Sequence, residues 1–360
     1  MTTLDSYVTV PGSGLRISPA TLGTMTFGED HGWGASVVDS QRMLDDYVDA
    51  GGNSIDTANI YTNGHSESII GEWLAGRSSL RDRLVIGSKF FVNLHPGDPN
   101  GGGAGRKAIL HQLDDSLRRL RTDYLDIYWL HNFDPVTPRE ETLRTLDDVV
   151  ASGKVRYVGF SDIPAWATAE AVVLARLRGW SPVIALQAEY SLLERTAEGE
   201  LLPMARSLGL GALAWSPLKG GWLSGKFHSG QTVAPDTSRS RDRRPPTSAY
   251  PLLDALCAVA ADLGSTPAEV ALAWVRGTPG MTSTIVGARR PDQLHANLNS
   301  LTLDLPPEAR ARLDEVSTPH LNFPADNNAE LGPVLQFSGT TVDGRSHDTL
   351  PLLLAGPERY

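Results

Sequence analysis

Cysteine is almost absent: Cys257 is the only one in 360 residues. A single thiol cannot close an internal disulfide, which excludes a disulfide-stapled fold. Its position in the apolar helical run LLDALCAVAADLG makes it a small core residue. Long apolar runs are missing too, and no uninterrupted segment nears the roughly 20 residues that span a bilayer. The opening MTTLDSYVTVPGSG has no basic stretch followed by an apolar one, so no secretory signal is expected and the chain reads as cytoplasmic. Positive charge is in deficit: 32 Lys and Arg against 42 Asp and Glu leave a net charge of −10. That balance argues against nucleic acid or an anionic membrane surface as the main partner. No G-x-G-x-x-G follows the first apolar run, which weighs against a Rossmann fold. The histidines show no metal-ligand spacing such as H-E-x-x-H, so no metal is expected.

What is present is a repeating pattern. After a turn sequence, Pro-Gly-Ser-Gly, flanked by two short alternating runs (a hairpin signal), eight β-rich runs follow: ATLGTM, SIDTA, LVIGSKF, LDIYWLH, VRYVGFSD, VIALQAEY, GALAWSPL and STIVGA. Helical patterns separate them. In RKAILHQLDDSLRRL the residues Ile109, Leu110, Leu113, Leu117 and Leu120 line one face, with Asp114/Arg118 and Asp115/Arg119 on a solvated side. In ETLRTLDDVVASGK, Leu143, Leu146, Val149 and Val150 form a stripe that ends at a Gly153 cap. An open doubly wound sheet could use this alternation, so the count alone leaves both. The expected architecture is an α/β TIM (β/α)8 barrel with an N-terminal β-hairpin, long loops at its C-terminal mouth and a C-terminal tail. It forms a single domain over 1–360, with a core of about 15–317 and a tail over 318–360. The loop over 228–248 and the tail do not fit the repeat.

Barrel enzymes draw their catalytic groups from the C-terminal ends of several strands. Here the second strand ends in Asp56 with Tyr61 in the loop beyond, the third in Lys89 and the fourth in His131. A phenol is a reluctant acid at neutral pH; a lysine ammonium beside it favours phenolate, and a carboxylate keeps a buried lysine charged. A neutral histidine N–H can orient a carbonyl oxygen and stabilise a developing alkoxide. Together these groups would protonate an oxyanion while a cofactor delivers hydride to carbon.

SIDTANIYTNGHSESIIGEWL, VIGSKF, YLDIYWLH, VGFSD, QAEYSLLER, WSPLKGGWLSGKF and IVGARRPDQLHANL resemble, in order from about residue 15 to 315, the motifs of the aldo-keto reductase superfamily. The branch they resemble is the bacterial one that is also similar to the β-subunits of voltage-gated potassium channels. The resemblance implies a barrel that binds NADP(H), ahead of NAD(H), across its C-terminal mouth and reduces a small-molecule carbonyl. It places a catalytic tetrad on Asp56, Tyr61, Lys89 and His131, with Tyr61 as proton donor. It also implies cofactor contacts at Gly23, Thr24 and Met25, and at Ser161, Asp162 and Gln187 around the carboxamide. Trp215 would stack on the nicotinamide, and Ser216, Pro217, Leu218, Gly220 and Lys226 would line the pyrophosphate loop. Gly287, Arg289, Gln293 and Asn297 would hold the adenosine end, with Arg289 gripping the 2′-phosphate and Arg290 as its neighbouring alternative. The family often has Ser-Asn where this chain has Ser161-Asp162; an ionised Asp accepts from the carboxamide NH2 but cannot donate to its carbonyl, so that bond needs another donor.

Weaker signals complete the reading. NGGGAGR (100–106) is expected as a lid or helix start rather than a phosphate loop, because it lacks the Gly-Lys-Ser/Thr ending. SRSRDRRPP is expected to fold over the cofactor with Arg239 to Arg244 near its phosphates. Phe27, Trp33, His95 and Trp166 are expected as walls of the substrate pocket. Two rival functions share these residues: a β-subunit-like redox sensor that holds NADP and turns over slowly, and a pathway-specific oxidoreductase for a keto-sugar or polyketide. Oligomeric state is left open between monomer and homo-oligomer.

Overall fold

The computed structural model describes residues 2–229 and 244–354. Two short strands, β1 (Val8–Thr9) and β2 (Arg16–Ile17), pair antiparallel as the expected hairpin. Eight further strands follow: β3 (Ala20–Gly23), β4 (Ser54–Asp56), β5 (Val85–Phe90), β6 (Leu125–Leu130), β7 (Val155–Ser161), β8 (Val183–Glu189), β9 (Gly211–Trp215) and β10 (Met281–Gly287). All eight pair in parallel, and β10 pairs with both β9 and β3, so the sheet closes. This is the TIM (β/α)8 barrel expected, and closure rules out the open doubly wound sheet. Burial on both faces explains why the strands read as continuous apolar runs rather than alternating ones; β3, β4 and β5 are buried throughout.

Helices α1 (Val37–Asp49), α2 (His65–Leu74), α3 (Ser78–Arg81), α4 (Arg106–Leu120), α5 (Arg139–Ala151), α6 (Ala165–Arg178), α7 (Leu201–Leu208), α8 (Tyr250–Asp262), α9 (Pro267–Arg276) and α10 (Pro291–Asn299) lie between or after the strands. Their apolar stripes meet the outside of the sheet in one extended core. A second, smaller cluster fills the barrel interior: Ile17 and Val10 of the hairpin pack with Val85, Ile127, Leu213 and Ile285. The hairpin therefore plugs the N-terminal end. Trp129 occupies the same interior, and a Cβ at Gly87 or Gly159 would come within 2.7 or 2.3 Å of its indole. Those two glycines make room for one large ring on the strand between them.

Two details of α4 differ from the expected face. Leu110 is 36% exposed, while Ala108, Gln112 and Ser116 are buried. Arg119 leaves the solvated side and reaches inward to Glu67 at 2.6 Å, whereas Asp114 pairs with Lys154. Gly153 adopts φ +77° just beyond α5, as a helix-ending glycine does. Cys257 is partly buried on α8, and burial raises its thiol, as suits an inert residue. After the barrel come α11 (Pro307–Val316), α12 (Ala325–Phe337), the paired strands β11 (Thr341–Val342) and β12 (Arg345–Ser346), and α13 (Pro351–Leu354). The tail starts against Gly199, where Leu321 and Ala325 approach, and α12 buries none of its residues. Among the described residues, no single helix is long and apolar enough to cross a membrane.

Candidate active site

Alternate residues of a strand share a face. Val85, Ile127, Trp129, Ala185, Leu213 and Ile285 belong to the interior cluster. Two or four residues further along the same strands and just past them stand Lys89, His131, Gln187, Trp215 and Gly287. The period of the sheet thus sets these residues in one layer at the C-terminal mouth, and Asp56 ends β4 beside them.

Lys89 is 2% exposed and uses all three of its ammonium donors. It donates to Asp56 Oδ2 at 2.5 Å, to the Thr57 carbonyl at 2.9 Å and to Tyr61 Oη at 2.9 Å. Burial alone would pull its pKa down; the Asp56 carboxylate, and then the Tyr61 phenol, outweigh that and raise it. Asp56 is held from its other side by Gln187, whose Nε2 donates to Oδ1 at 2.7 Å. Because the phenol oxygen accepts from Lys89, the phenolic proton points away from the ammonium. Tyr61 sits at the head of a tight turn in which Thr62 and Asn63 take φ of 46° and 54°. Such conformations cost on the order of 1–3 kcal/mol each and persist only where contacts enforce them. Here Thr62 is buried, and its hydroxyl donates to the Phe27 carbonyl at 2.7 Å.

His131 stands edge-on to Tyr61, with ring centroids 6.1 Å apart. Its Nδ1 is buried without a hydrogen-bond partner among the described residues. Burial, and then the nearby Lys89 charge, lower its pKa to about 3. The ring is therefore neutral at neutral pH. Because the unfolded state protonates near the ordinary histidine value, it binds the extra proton between about pH 6.5 and pH 3. Folding stability should consequently fall with decreasing pH across that window, by up to about 1.4 kcal/mol per pH unit from this residue. Denaturant melts of wild type and His131→Asn should show a stability gap that is constant above pH 6.5 and shifts toward the variant below it. A gap independent of pH would contradict a neutral buried His131.

On the opposite rim, Trp215 donates its indole N–H to Asp162 Oδ1 at 3.0 Å. Burial raises the Asp162 carboxyl, although hydrogen bonds from Trp215 and Ser161 oppose the shift. The Asp162 amide N–H donates to the Gln187 carbonyl at 3.2 Å, so Ser161, Asp162, Gln187 and Trp215 do come together. Gln187, however, spends an amide N–H on Asp56, a link that its position in sequence did not suggest. Beyond Trp215 the chain turns repeatedly into positive φ, at Ser216, Lys219, Gly220, Gly221 and Gly225. Pro217 is buried there, Leu218 is partly buried and Lys226 is exposed. Lys219 pairs with Glu189 and Glu194 at 2.8 and 3.4 Å. Arg239, Arg241 and Arg243 lie outside the described residues.

At the end of β10, the Arg289 amide N–H donates to Gln293 Oε1 at 3.0 Å, and Asn297 Nδ2 donates to the Gly287 carbonyl at 3.2 Å. The two amides thus shape the turn into α10. Arg290 is engaged by Asp292 at 3.0 Å. Gly23 has a packing reason of its own, since a Cβ there would lie 2.7 Å from Ile285 Cγ2. Thr24 is fully buried and bonds to the Asp56 carbonyl, while Met25 is partly exposed.

The expected pocket walls fare unevenly. Phe27 is fully buried in the core and offers no free face, and Trp33 is half-buried. His95 turns to the outer side of α4, beside His111 and Asp115. Trp166, at the start of α6, is 57% exposed and meets Phe133 edge-on at 5.7 Å, with Arg139 over it at 4.8 Å. Phe133 follows His131 by two residues and was legible only through that proximity. Another group missed by sequence is Thr57, which acts through its backbone and leaves no side-chain signal.

A family model described as Aldo/keto reductase family matches residues 20–318. An uncharacterized oxidoreductase, YrpG, of Bacillus subtilis is 36% identical over 320 residues, covering 86% of this chain and 95% of that protein. The aryl-alcohol dehydrogenase (NADP(+)) of Phanerodontia chrysosporium is 32% identical over 342 residues, covering 87% and 86%. A protein of Schizosaccharomyces pombe provisionally named a voltage-gated potassium channel subunit beta is 33% identical over 322 residues, covering 86% and 92%. With a closed barrel, a phenol–ammonium–carboxylate chain at its mouth and matches along nearly the whole of these relatives, the protein belongs to the aldo/keto reductase family of NAD(P)-dependent oxidoreductases.

Proposed function

We propose that this oxidoreductase reduces aryl aldehydes and related aromatic carbonyls with NADPH, with Tyr61 as general acid. The distribution of the three Lys89 donors over Asp56, Thr57 and Tyr61 carries this reading. As the phenolic proton moves to the substrate oxygen, negative charge grows on Tyr61 Oη, where the ammonium is already in place to stabilise it. Asp56 and the Thr57 carbonyl hold that ammonium in position. Neutral His131 donates an N–H to the same oxygen and orients the carbonyl. The chain's residues fit a nicotinamide dinucleotide: Trp215, anchored by Asp162, supplies a flat face, and the positive-φ loop from Ser216 supplies backbone N–H groups of the kind that cradle phosphates. The dinucleotide, when bound, supplies the hydride. Arg289 and the N-terminal turn of α10 would hold the adenosine phosphate.

Two observations support an aromatic substrate. Phe133, two residues after His131 in the chain, is partly buried and meets the exposed ring of Trp166 edge-on, and the matched relative from Phanerodontia chrysosporium is named as an aryl-alcohol dehydrogenase. NADPH oxidation followed with aromatic and aliphatic aldehydes of equal size should show higher kcat/KM for the aromatic set. Arg289→Ala should raise KM for NADPH about 10-fold or more, the worth of one charge-assisted hydrogen bond, and leave that for NADH unchanged. No turnover of any aldehyde would overturn the reaction; equal effects on both cofactors would overturn the role of Arg289.

A further inference from the structure

We propose that His95, His111 and Asp115 form a binding site for one divalent transition-metal ion, with zinc the best match, which ties the loop after β5 to helix α4. This inference is independent of the carbonyl-reductase reading. His111 and Asp115 stand four residues apart on α4 and so share one of its faces. His95 comes from the loop after β5, sixteen residues earlier than His111, which is why no ligand spacing shows in the sequence. The fold brings both imidazole Nε2 atoms to 3.8 Å from the same oxygen, Asp115 Oδ2. Ligand atoms from all three residues lie within 4.8 Å of one another.

The donor set has the right chemistry. Two imidazoles and one carboxylate suit zinc and its first-row neighbours, whereas magnesium and calcium prefer oxygen alone. Ligand bonds of about 2.0–2.1 Å in a tetrahedron set the donors roughly 3.3–3.4 Å apart, so the carboxylate–imidazole distances of 3.8 Å need to close by about 0.5 Å and the widest separation, within 4.8 Å, by up to about 1.5 Å. The histidines are about half exposed, at 48% and 51%, and are not locked by packing. Asp115 is already oriented: Arg118 donates to Oδ1 at 2.6 Å, which leaves Oδ2 turned to the histidines. A partner holding a ligating carboxylate in this way is what outer-shell groups of metal sites supply. Arg119, the other cation nearby, is 3.9 Å from Oδ2 and is committed to Glu67.

On the loop side, the His95 amide N–H donates to Asn93 Oδ1 at 2.8 Å, and its carbonyl accepts from the Asp98 amide at 3.0 Å. The Gly103 amide closes back onto the Phe91 carbonyl at 2.8 Å. His95 is thus fixed in a loop that begins two residues after Lys89. Metal bound to it would pin that loop at one edge of the mouth.

The test is titration of the untagged, chelator-treated and dialysed full-length chain with zinc chloride by calorimetry at neutral pH. One equivalent should bind, with Kd on the order of micromolar for three ligands at an exposed position. His95→Ala, His111→Ala and Asp115→Asn should each weaken binding at least about 10-fold, and excess magnesium should not compete. Limited proteolysis within residues 93–103 should slow with zinc in the wild type and not in His95→Ala. Failure of the wild type to bind an equivalent, or zinc affinity unchanged in all three variants, would overturn the site. Circular dichroism on each variant separates loss of a ligand from loss of the fold.

Discussion

Tyr61→Phe is expected to lower kcat for carbonyl reduction by about 10²–10⁴-fold, the range associated with removing a positioned general acid, while KM for the cofactor stays nearly constant. The size follows from the lack of a substitute. In the proposed site His131 is the other group at the oxygen, and with its pKa lowered to about 3 it carries no dissociable imidazolium proton at neutral pH. Lys89 has a raised pKa and spends its three donors on Asp56, Thr57 and Tyr61. Phe removes only the hydroxyl, so the turn held by Thr62 and the packing of the ring should remain. Steady-state kinetics at saturating NADPH, with circular dichroism as the check on folding, would decide the matter. Retention of wild-type turnover would exclude Tyr61 as the acid.

The largest expected effect on stability lies behind the site rather than in it. Glu67 is fully buried on α2, accepts from Ser88 at 2.5 Å and pairs with Arg119 of α4 at 2.6 Å. Ser88 immediately precedes Lys89, and Glu67 follows Tyr61 by six residues, so this pair joins the two segments that carry the phenol and the ammonium. Glu67→Ala takes the close partner from a guanidinium that is only 15% exposed and leaves it Asp115 alone, at 3.9 Å. Breaking a buried pair in this way costs about 3–5 kcal/mol. Replacing both partners with apolar residues, Glu67→Leu with Arg119→Leu, should recover much of that loss, because no charge is then left buried. Urea unfolding midpoints with unchanged m-values would measure both. A single substitution costing under 1 kcal/mol would show that water or a neighbouring group replaces the carboxylate.

The same pair shows where local pattern fails. At i,i+4 spacing Asp115 and Arg119 look like a solvated ion pair, and Leu110 looks like part of the buried stripe. The helix is rotated slightly from that reading: Leu110 faces water, and Arg119 turns under α2 to meet a glutamate 52 positions earlier. Periodicity reports which side of a helix is more apolar; it does not report whether a neighbouring element holds a buried carboxylate.

The barrel was legible because each unit carries its own punctuation: a short apolar run, a polar turn and an amphipathic stripe. Polar residues at the ends of such runs, Asp56, Lys89 and His131, stood out because they fall at the same end of successive strands, where a barrel gathers its catalytic groups. Phe27 misled for the complementary reason, since aromatic residues near a site serve core and pocket equally well until burial is known. By itself, then, the sequence determined the eight-fold alternation, its closure by family resemblance and the residues at the mouth. Only the tertiary structure decided how those residues are wired: Gln187 to Asp56, Lys89 to the Thr57 carbonyl, Glu67 to Arg119, and His95 to the face of α4. These links join positions far apart in the chain, and a hydrogen bond or ion pair depends on distance in space, which the closing of the barrel sets and the spacing of letters does not.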